Sequence, residues 1–173
     1  MARRRNAALE EIGPQVTVEV VSRQRALPVN LAWLERTARV AIAAIGAPAA
    51  EIHVLVVDDR RIARLHHQWM QDPDPTDVLT FDLGSDPPRR LVGDIVVSAE
   101  TAKRLARTLG WRPRQELAYY MVHGLLHLAG FDDRTPGERR RMRKAERTVM
   151  VAVGLPAPPG RPRSSTARSR HAR

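Results

Sequence analysis

Apolar residues along this chain recur with period two in some segments and at helical spacing in others, and the two kinds alternate. That alternation limits the fold more than any other feature. Residues 15–22, QVTVEVVS, alternate apolar and polar positions and are rich in valine, which predicts a strand. Asn30 is placed to cap a helix through Ile45, with Trp33, Leu34, Thr37, Ala38 and Ala41 at helical spacing; Gly46 and Pro48 stop it. EIHVLVVDD, 51–59, reads as a second strand, and residues 59–69 as a short helix with Ile62, Leu65, His66 and Trp69 on one side. Pro73 and Pro75 forbid regular helix and fix an extended approach to a third strand in DVLTFDL. After the turn SDPPRR, LVGDIVVS supplies a fourth. Ser98 caps a helix that Gly110 ends, and Pro113 opens another that runs to Gly130. Thr135 and Pro136 open the last helix, with an apolar stripe of Met142, Ala145, Val149 and Val153 opposite an arginine-rich face. About four strands and five helices in alternation predict one layer-packed domain.

The 173 residues suit a single domain, expected over residues 14–155. Residues 1–13 are read as a loose basic N-terminus, and 156–173, rich in Pro, Ser and Arg, as a disordered tail. The chain has no cysteine, so disulfides, thiolate zinc knuckles and thiol nucleophiles are excluded, and any metal must be held by His, Asp or Glu. The longest apolar run, VAIAAIGAPAA, is about half a membrane span. No apolar stretch of signal type follows the basic start, so a soluble, cytoplasmic protein is expected. The net charge is +10, but residues 14–155 carry 21 basic and 17 acidic side chains, so most of the excess sits in the tails. A polyanionic partner fits this balance, RNA first among them.

The chemistry concentrates in residues 123–133, HGLLHLAGFDD. His123 and His127 lie one turn plus about 40° apart on a helix, with a rise of roughly 6 Å, so both imidazoles project from one face. That is the spacing by which two histidines share a zinc ion. Gly130 lets the chain turn where the helix ends, and beyond it Asp132 or Asp133 can fold back toward the same point. Three ligands would leave a fourth position open, the arrangement of a catalytic zinc. Zinc proteases carry glutamate, their general base, directly after the first histidine. Here that residue is Gly124, which cannot move a proton, and peptidase chemistry is disfavoured.

HGLLHLAGFDD closely resembles the His-Gly-x-Leu-His-Leu-x-Gly-Tyr-Asp-His motif of the YbeY family of endoribonucleases and rRNA maturation factors. DPTDVLTFDL, GDIVVSAETAKRLA and RMRKAERTVMVAVGL resemble further segments of that family, so the likeness covers roughly residues 50–155. It implies an α+β fold: a small, twisted, mixed sheet packed with helices, the metal at the end of the central helix. It also implies zinc-dependent cleavage of single-stranded RNA in rRNA maturation, the 3′ end of the small-subunit RNA included, and in ribosome quality control. The small ribosomal subunit or its assembly factors would be the partners. Aligned with the motif, the ligands are His123, His127 and Asp133, the last standing where the family places a third histidine. Two neutral imidazoles and a carboxylate leave a zinc site near +1, which acidifies water less than three histidines would and suits harder metals somewhat better. An arginine that the family carries before Pro-Thr-Asp falls on Met70. Arg64, or Arg89 and Arg90, are the candidates to meet RNA in its stead. The alternative is a ribosome-associated RNA-binding factor with a structural metal.

The remaining polar and aromatic candidates have plainer readings. Asp77 is expected to serve a turn or strand end, with orienting a ligand or substrate as the alternative; His53 is expected to be structural, His66 partly packed and His67 exposed, with an approach to RNA as the alternative for the last two. Arg139, Arg140 and Arg141 read as a solvated helix face, with phosphate tracking as the sharper alternative. Trp69, Trp111 and Phe131 are assigned to the core by default, with base stacking as the alternative.

Overall fold

All four valine-rich segments form strands in the computed structural model, which describes residues 16–70, 76–159 and 170–171. In chain order the elements are β1 (Val16–Ser22), α1 (Leu31–Ile45), β2 (Ala49–Val57), α2 (Asp59–Met70), β3 (Val78–Asp82), β4 (Arg90–Ser98), α3 (Ala99–Leu109), α4 (Pro113–Leu128), α5 (Pro136–Ala152) and β5 (Arg170–His171). The sheet order is β1-β2-β4-β3-β5. Strands β1, β2 and β4 run parallel, β3 is antiparallel to β4, and β5 is parallel to β3. The sheet is therefore mixed, in an α+β domain with the five expected helices. One strand was not anticipated: two residues of the tail, Arg170 and His171, pair with Phe81 and Asp82. The loose N-terminus, Pro73, Pro75 and the rest of the tail beyond residue 159 lie outside the described residues.

Side-chain alternation explains how the layers form. Leu91, Ile95 and Val97 of β4 join Ile52, Val54 and Val56 of β2 on one face of the sheet, where α1, α3, α4 and α5 pack. Val96, Leu79 and Val57 point to the other face, which Ile62 and Leu65 of α2 cover. The helix starts follow the expected caps. The Asn30 side chain accepts from the Trp33 N–H at 2.9 Å and the Ser98 hydroxyl from the Thr101 N–H at 3.2 Å. Thr135 and Glu138 form a reciprocal capping box at the start of α5.

Helix α4 is buried without interruption from Glu116 to Leu128, because the sheet lies on one side and α1, α3 and α5 enclose the others. It comes very close to the sheet at Gly124. A Cβ there would lie 2.9 Å from Ile95 Cγ2 and 3.0 Å from the Thr80 hydroxyl. The helix then ends in the expected turn: Gly130 takes φ +87°, and the Phe131 N–H returns to the Leu126 carbonyl at 3.0 Å.

The default assignment of Trp69 to the core is corrected. Its side chain is 55% exposed and stands edge-on to Phe81, ring centroids 5.9 Å apart. Helix α2 covers only one end of its sheet face, and Trp69 reaches past the covered part. Trp111 and Phe131 are half-buried against the main core, as assigned. His66 is buried more fully than expected, and His67 is exposed.

Candidate metal centre

The helical spacing does bring the two imidazoles together. The rings of His123 and His127 meet edge to face, centroids 4.6 Å apart, with the two Nε2 atoms 3.0 Å from each other. Each ring is fixed from behind through Nδ1. His123 Nδ1 donates to Glu146 Oε1 at 2.7 Å, and His127 Nδ1 donates to the Phe131 carbonyl at 3.0 Å. With Nδ1 carrying the hydrogen in both rings, both Nε2 lone pairs face one point. This is the outer-shell arrangement that orients histidines toward a metal. Tyr119 also donates its hydroxyl to Glu146 Oε1, at 2.9 Å, which holds the carboxylate in place.

The turn after α4 places the two aspartates differently. Asp132 is turned away: one oxygen accepts from the Asp133 N–H at 2.8 Å and the other pairs with Arg134 Nε at 3.0 Å. Asp133 is the one that faces the histidines. One atom from each of His123, His127 and Asp133 lies within 4.8 Å of the other two. Arg139 Nη1 donates to the carbonyls of Asp133 and Arg134 at 2.9 and 2.7 Å, which pins the turn to the start of α5. Two imidazole nitrogens and a carboxylate oxygen match the donor set zinc takes in its three-protein-ligand sites.

The histidines share their environment unequally. Burial opposes charge on both rings. For His123 the hydrogen bond and the charge of Glu146 outweigh burial, and Asp77 and Asp133 add to them, so its pKa is raised. For His127, burial and the neighbouring His123 outweigh Asp133 and Asp132 and lower its pKa to about 4. In metal-free protein the pair therefore takes up its first proton above the ordinary histidine value of 6.5 and its second only near 4. The two contributions to stability have opposite signs. That of His123 is present in full below 6.5 and is lost as the pH rises through its raised folded pKa. That of His127 is present above 6.5 and is lost as the pH falls toward about 4. Thermal melts of the metal-free chain are expected to place this pair's best pH near 6.5. Metal affinity, followed by dye competition, should rise about tenfold per pH unit until His123 has lost its proton, because binding displaces one proton.

Glu146 was not recognised as a site residue from the sequence. It sits between Ala145 and Val149 on the stripe side of α5, and a glutamate inside an apolar stripe was the available signal. Glu146→Gln keeps an oxygen acceptor for His123 Nδ1 but removes the charge. Zinc affinity should fall about 10- to 100-fold, and the melting temperature without metal should fall as well below the raised pKa of His123, where the charge pairing is lost; an unchanged affinity would mean the carboxylate only packs.

The other candidates are placed as follows. Asp77 is buried where β3 begins, its carbonyl accepting from the Ser98 N–H at 3.0 Å, and its charge acts on His123. Both the strand-end role and proximity to the site are thus seen. His53 is exposed on β2, with Nδ1 3.0 Å from Asp94. Arg64 is exposed on α2, which packs on the opposite face of the sheet from α4. Arg89 and Arg90 are exposed in ion pairs with Asp86 and Glu51. The Met70 side chain lies outside what is described. A cleft of about 320 Å³ adjoins the turn, lined by Ala129, Gly130, Phe131, Asp132, Glu138 and Arg141. Among the described residues no helix is long and apolar enough to cross a membrane.

Fold and site together define an α+β domain with a helix-borne His-His-Asp centre suited to a divalent metal. The family model described as endoribonuclease YbeY matches residues 17–154, and the chain belongs to that family. An endoribonuclease YbeY of Anaeromyxobacter dehalogenans is 44% identical over 116 residues, 66% of this chain and 60% of that protein. One from Clavibacter sepedonicus is 33% identical over 144 residues, 78% of this chain and 94% of that protein. The chain thus matches about 60% of the length of the Anaeromyxobacter relative and nearly all of the Clavibacter one. The solution structure of TM1509 from Thermotoga maritima shares the fold, with a TM-score of 0.52 and 24% identity over 78% of this chain and 90% of that one.

Proposed function

We propose that this protein is a zinc-dependent endoribonuclease that cuts single-stranded RNA in rRNA maturation and ribosome quality control in the cytoplasm, working with the small ribosomal subunit or its assembly factors. The observation that carries the reading is the convergence of His123 Nε2, His127 Nε2 and an Asp133 oxygen, with both Nδ1 atoms anchored. The relatives' description as endoribonucleases supports RNA as the substrate class. A zinc ion held there would act as a Lewis acid toward a phosphate oxygen and make water more acidic. The chain's own part is positional. Glu146 and the Phe131 carbonyl set the tautomers, Arg139 holds the turn that carries Asp133, and the carboxylate lowers the charge of the centre. Gly124 leaves no side chain to act as base beside the first histidine.

Elemental analysis of the purified chain beside Asp133→Ala tests the centre. One zinc per chain is expected in the parent and a loss of at least about tenfold in affinity in the variant, more than an outer-shell change causes at its weakest. Equal metal content and equal cleavage would remove Asp133 from the ligand set. The second reading, an RNA-binding assembly factor with a structural metal, draws on Met70 standing where the resemblance places an arginine. Salt-dependent RNA binding without cleavage in zinc, manganese or nickel would favour it.

A further inference from the structure

Helix α5 carries Arg139, Arg140, Arg141, Arg143, Lys144 and Arg147 within nine residues. The one acid in that stretch, Glu146, is turned inward to His123 and Tyr119. Arg140, Arg141, Arg143, Lys144 and Arg147 are exposed, and among the described residues none of these five is in an ion pair. Exposed arginines without an ion pair among the described residues occur on other elements too, Arg36, Arg60 and Arg64 among them, but none of those elements gathers six cations within nine residues. Like charges four apart on a helix repel, here Arg140 with Lys144 and Arg143 with Arg147. A face that served only solubility would be better built with glutamates interleaved. Arg140, Lys144 and Arg147 form a row about 10 Å long. Beside its start, Arg141 and Glu138 line one wall of a cleft whose other wall is Ala129, Gly130, Phe131 and Asp132, the turn that carries Asp133; Arg141 is the cleft's one cation. Phe131 is half-buried against the core and lines this cleft.

We propose that single-stranded RNA passes from the candidate metal centre through this cleft and along α5, its phosphates meeting Arg141 and then the Arg140–Lys144–Arg147 row. The identity of the polyanion rests on the endoribonuclease reading; the track itself rests on the cleft and the unpaired cations.

The test uses the full zinc-loaded chain and a fluorescent single-stranded oligoribonucleotide, titrated by anisotropy over a series of KCl concentrations. The triple variant R140A/K144A/R147A replaces exposed helical positions with a good helix former, so the fold should hold, as equal zinc content and circular dichroism would show. Its comparison is R23A/R25A/R60A, which removes the same charge from exposed positions elsewhere. The row variant should bind at least about tenfold more weakly at low salt, with a log Kd–log salt slope shallower by about 2, three phosphate contacts at roughly 0.7 each. The comparison variant should keep the parent slope. Equal slopes for the row variant and the parent would overturn the track, as would an equal change in the comparison variant. So would row-dependent binding to anionic phospholipid vesicles without row-dependent RNA binding. A parent that binds RNA through the row but never cuts it would sink the nuclease reading and keep the track. Cleavage with no dependence on the row would do the reverse.

Discussion

Gly124→Glu, which would give the central helix the residue a zinc protease carries after its first histidine, is expected to leave the chain unable to fold. The position faces the sheet, at one of the points where α4 and the sheet come very close. A Cβ alone would lie 2.9 Å from Ile95 Cγ2 and 3.0 Å from Thr80 Oγ1, and Ile95 is fully buried beneath the helix. Alanine there should already cost about 1–3 kcal/mol, since the helix must lift or Ile95 must leave its rotamer. Glutamate adds one more methylene and a carboxylate with no water to reach. The sum should exceed about 4 kcal/mol, a large part of the stability of a domain this size. Expression and circular dichroism of the two variants check it: Ala folded with a lower melting temperature, Glu insoluble or unfolded. A well-folded Gly124→Glu would show that the helix–sheet spacing is adjustable, and the packing account of this glycine would be wrong. Glycine here therefore has a structural reason independent of catalysis. The protease base is missing because the sheet occupies the place it would need.

The same helix shows how much of this molecule the sequence reveals, and where it stops. Strand and helix boundaries follow from valine alternation, caps and Pro/Gly stops, because those are local signals; α4 and α5 begin at Pro113 and Pro136 as read. The histidine pair was legible because its geometry is set by one helix. The choice between Asp132 and Asp133 was not, since it depends on Asp132 bonding to the following N–H and to Arg134. Glu146 was missed because its contact with His123 spans 23 residues and two helices, and periodicity carries no information about partners that distant. Trp69 was misplaced for a related reason: its spacing fits the apolar side of α2, but there it meets only the edge of Phe81 and stays exposed. The arginines of α5 were visible as a run, but only the inward turn of Glu146 shows that Glu138, in the first turn, is the one acid left beside them on the outer face. Arg170 and His171 gave no strand signal, since a two-residue edge pairing has too few side chains to show a period.

His123→Ala should remove high-affinity zinc and RNA cleavage together while leaving a folded protein. The ring supplies one of three converging donors, and it is the one most firmly held, by a buried carboxylate that is itself fixed by Tyr119. Changing an outer-shell partner costs about 10- to 100-fold in affinity or activity. Deleting the ligand should cost more, at least about 1,000-fold in metal affinity, and cleavage should fall to the level of a chelator-treated sample. Stability should drop as well, by about 2–4 kcal/mol, because the variant leaves Glu146 buried without the imidazole it charges against. The double variant His123→Ala with Glu146→Gln separates the two effects. The neutral amide removes the stranded charge, so the melting temperature should recover in part, whereas zinc binding and cleavage should not. If cleavage returned along with stability, the ring would be a packing element and the metal centre would lie elsewhere. If zinc stayed bound in the single variant at parental affinity, His127 and Asp133 would need a different third donor. Recovery of stability alone, with the metal still lost, is the result that the geometry of three donors and one buried carboxylate requires.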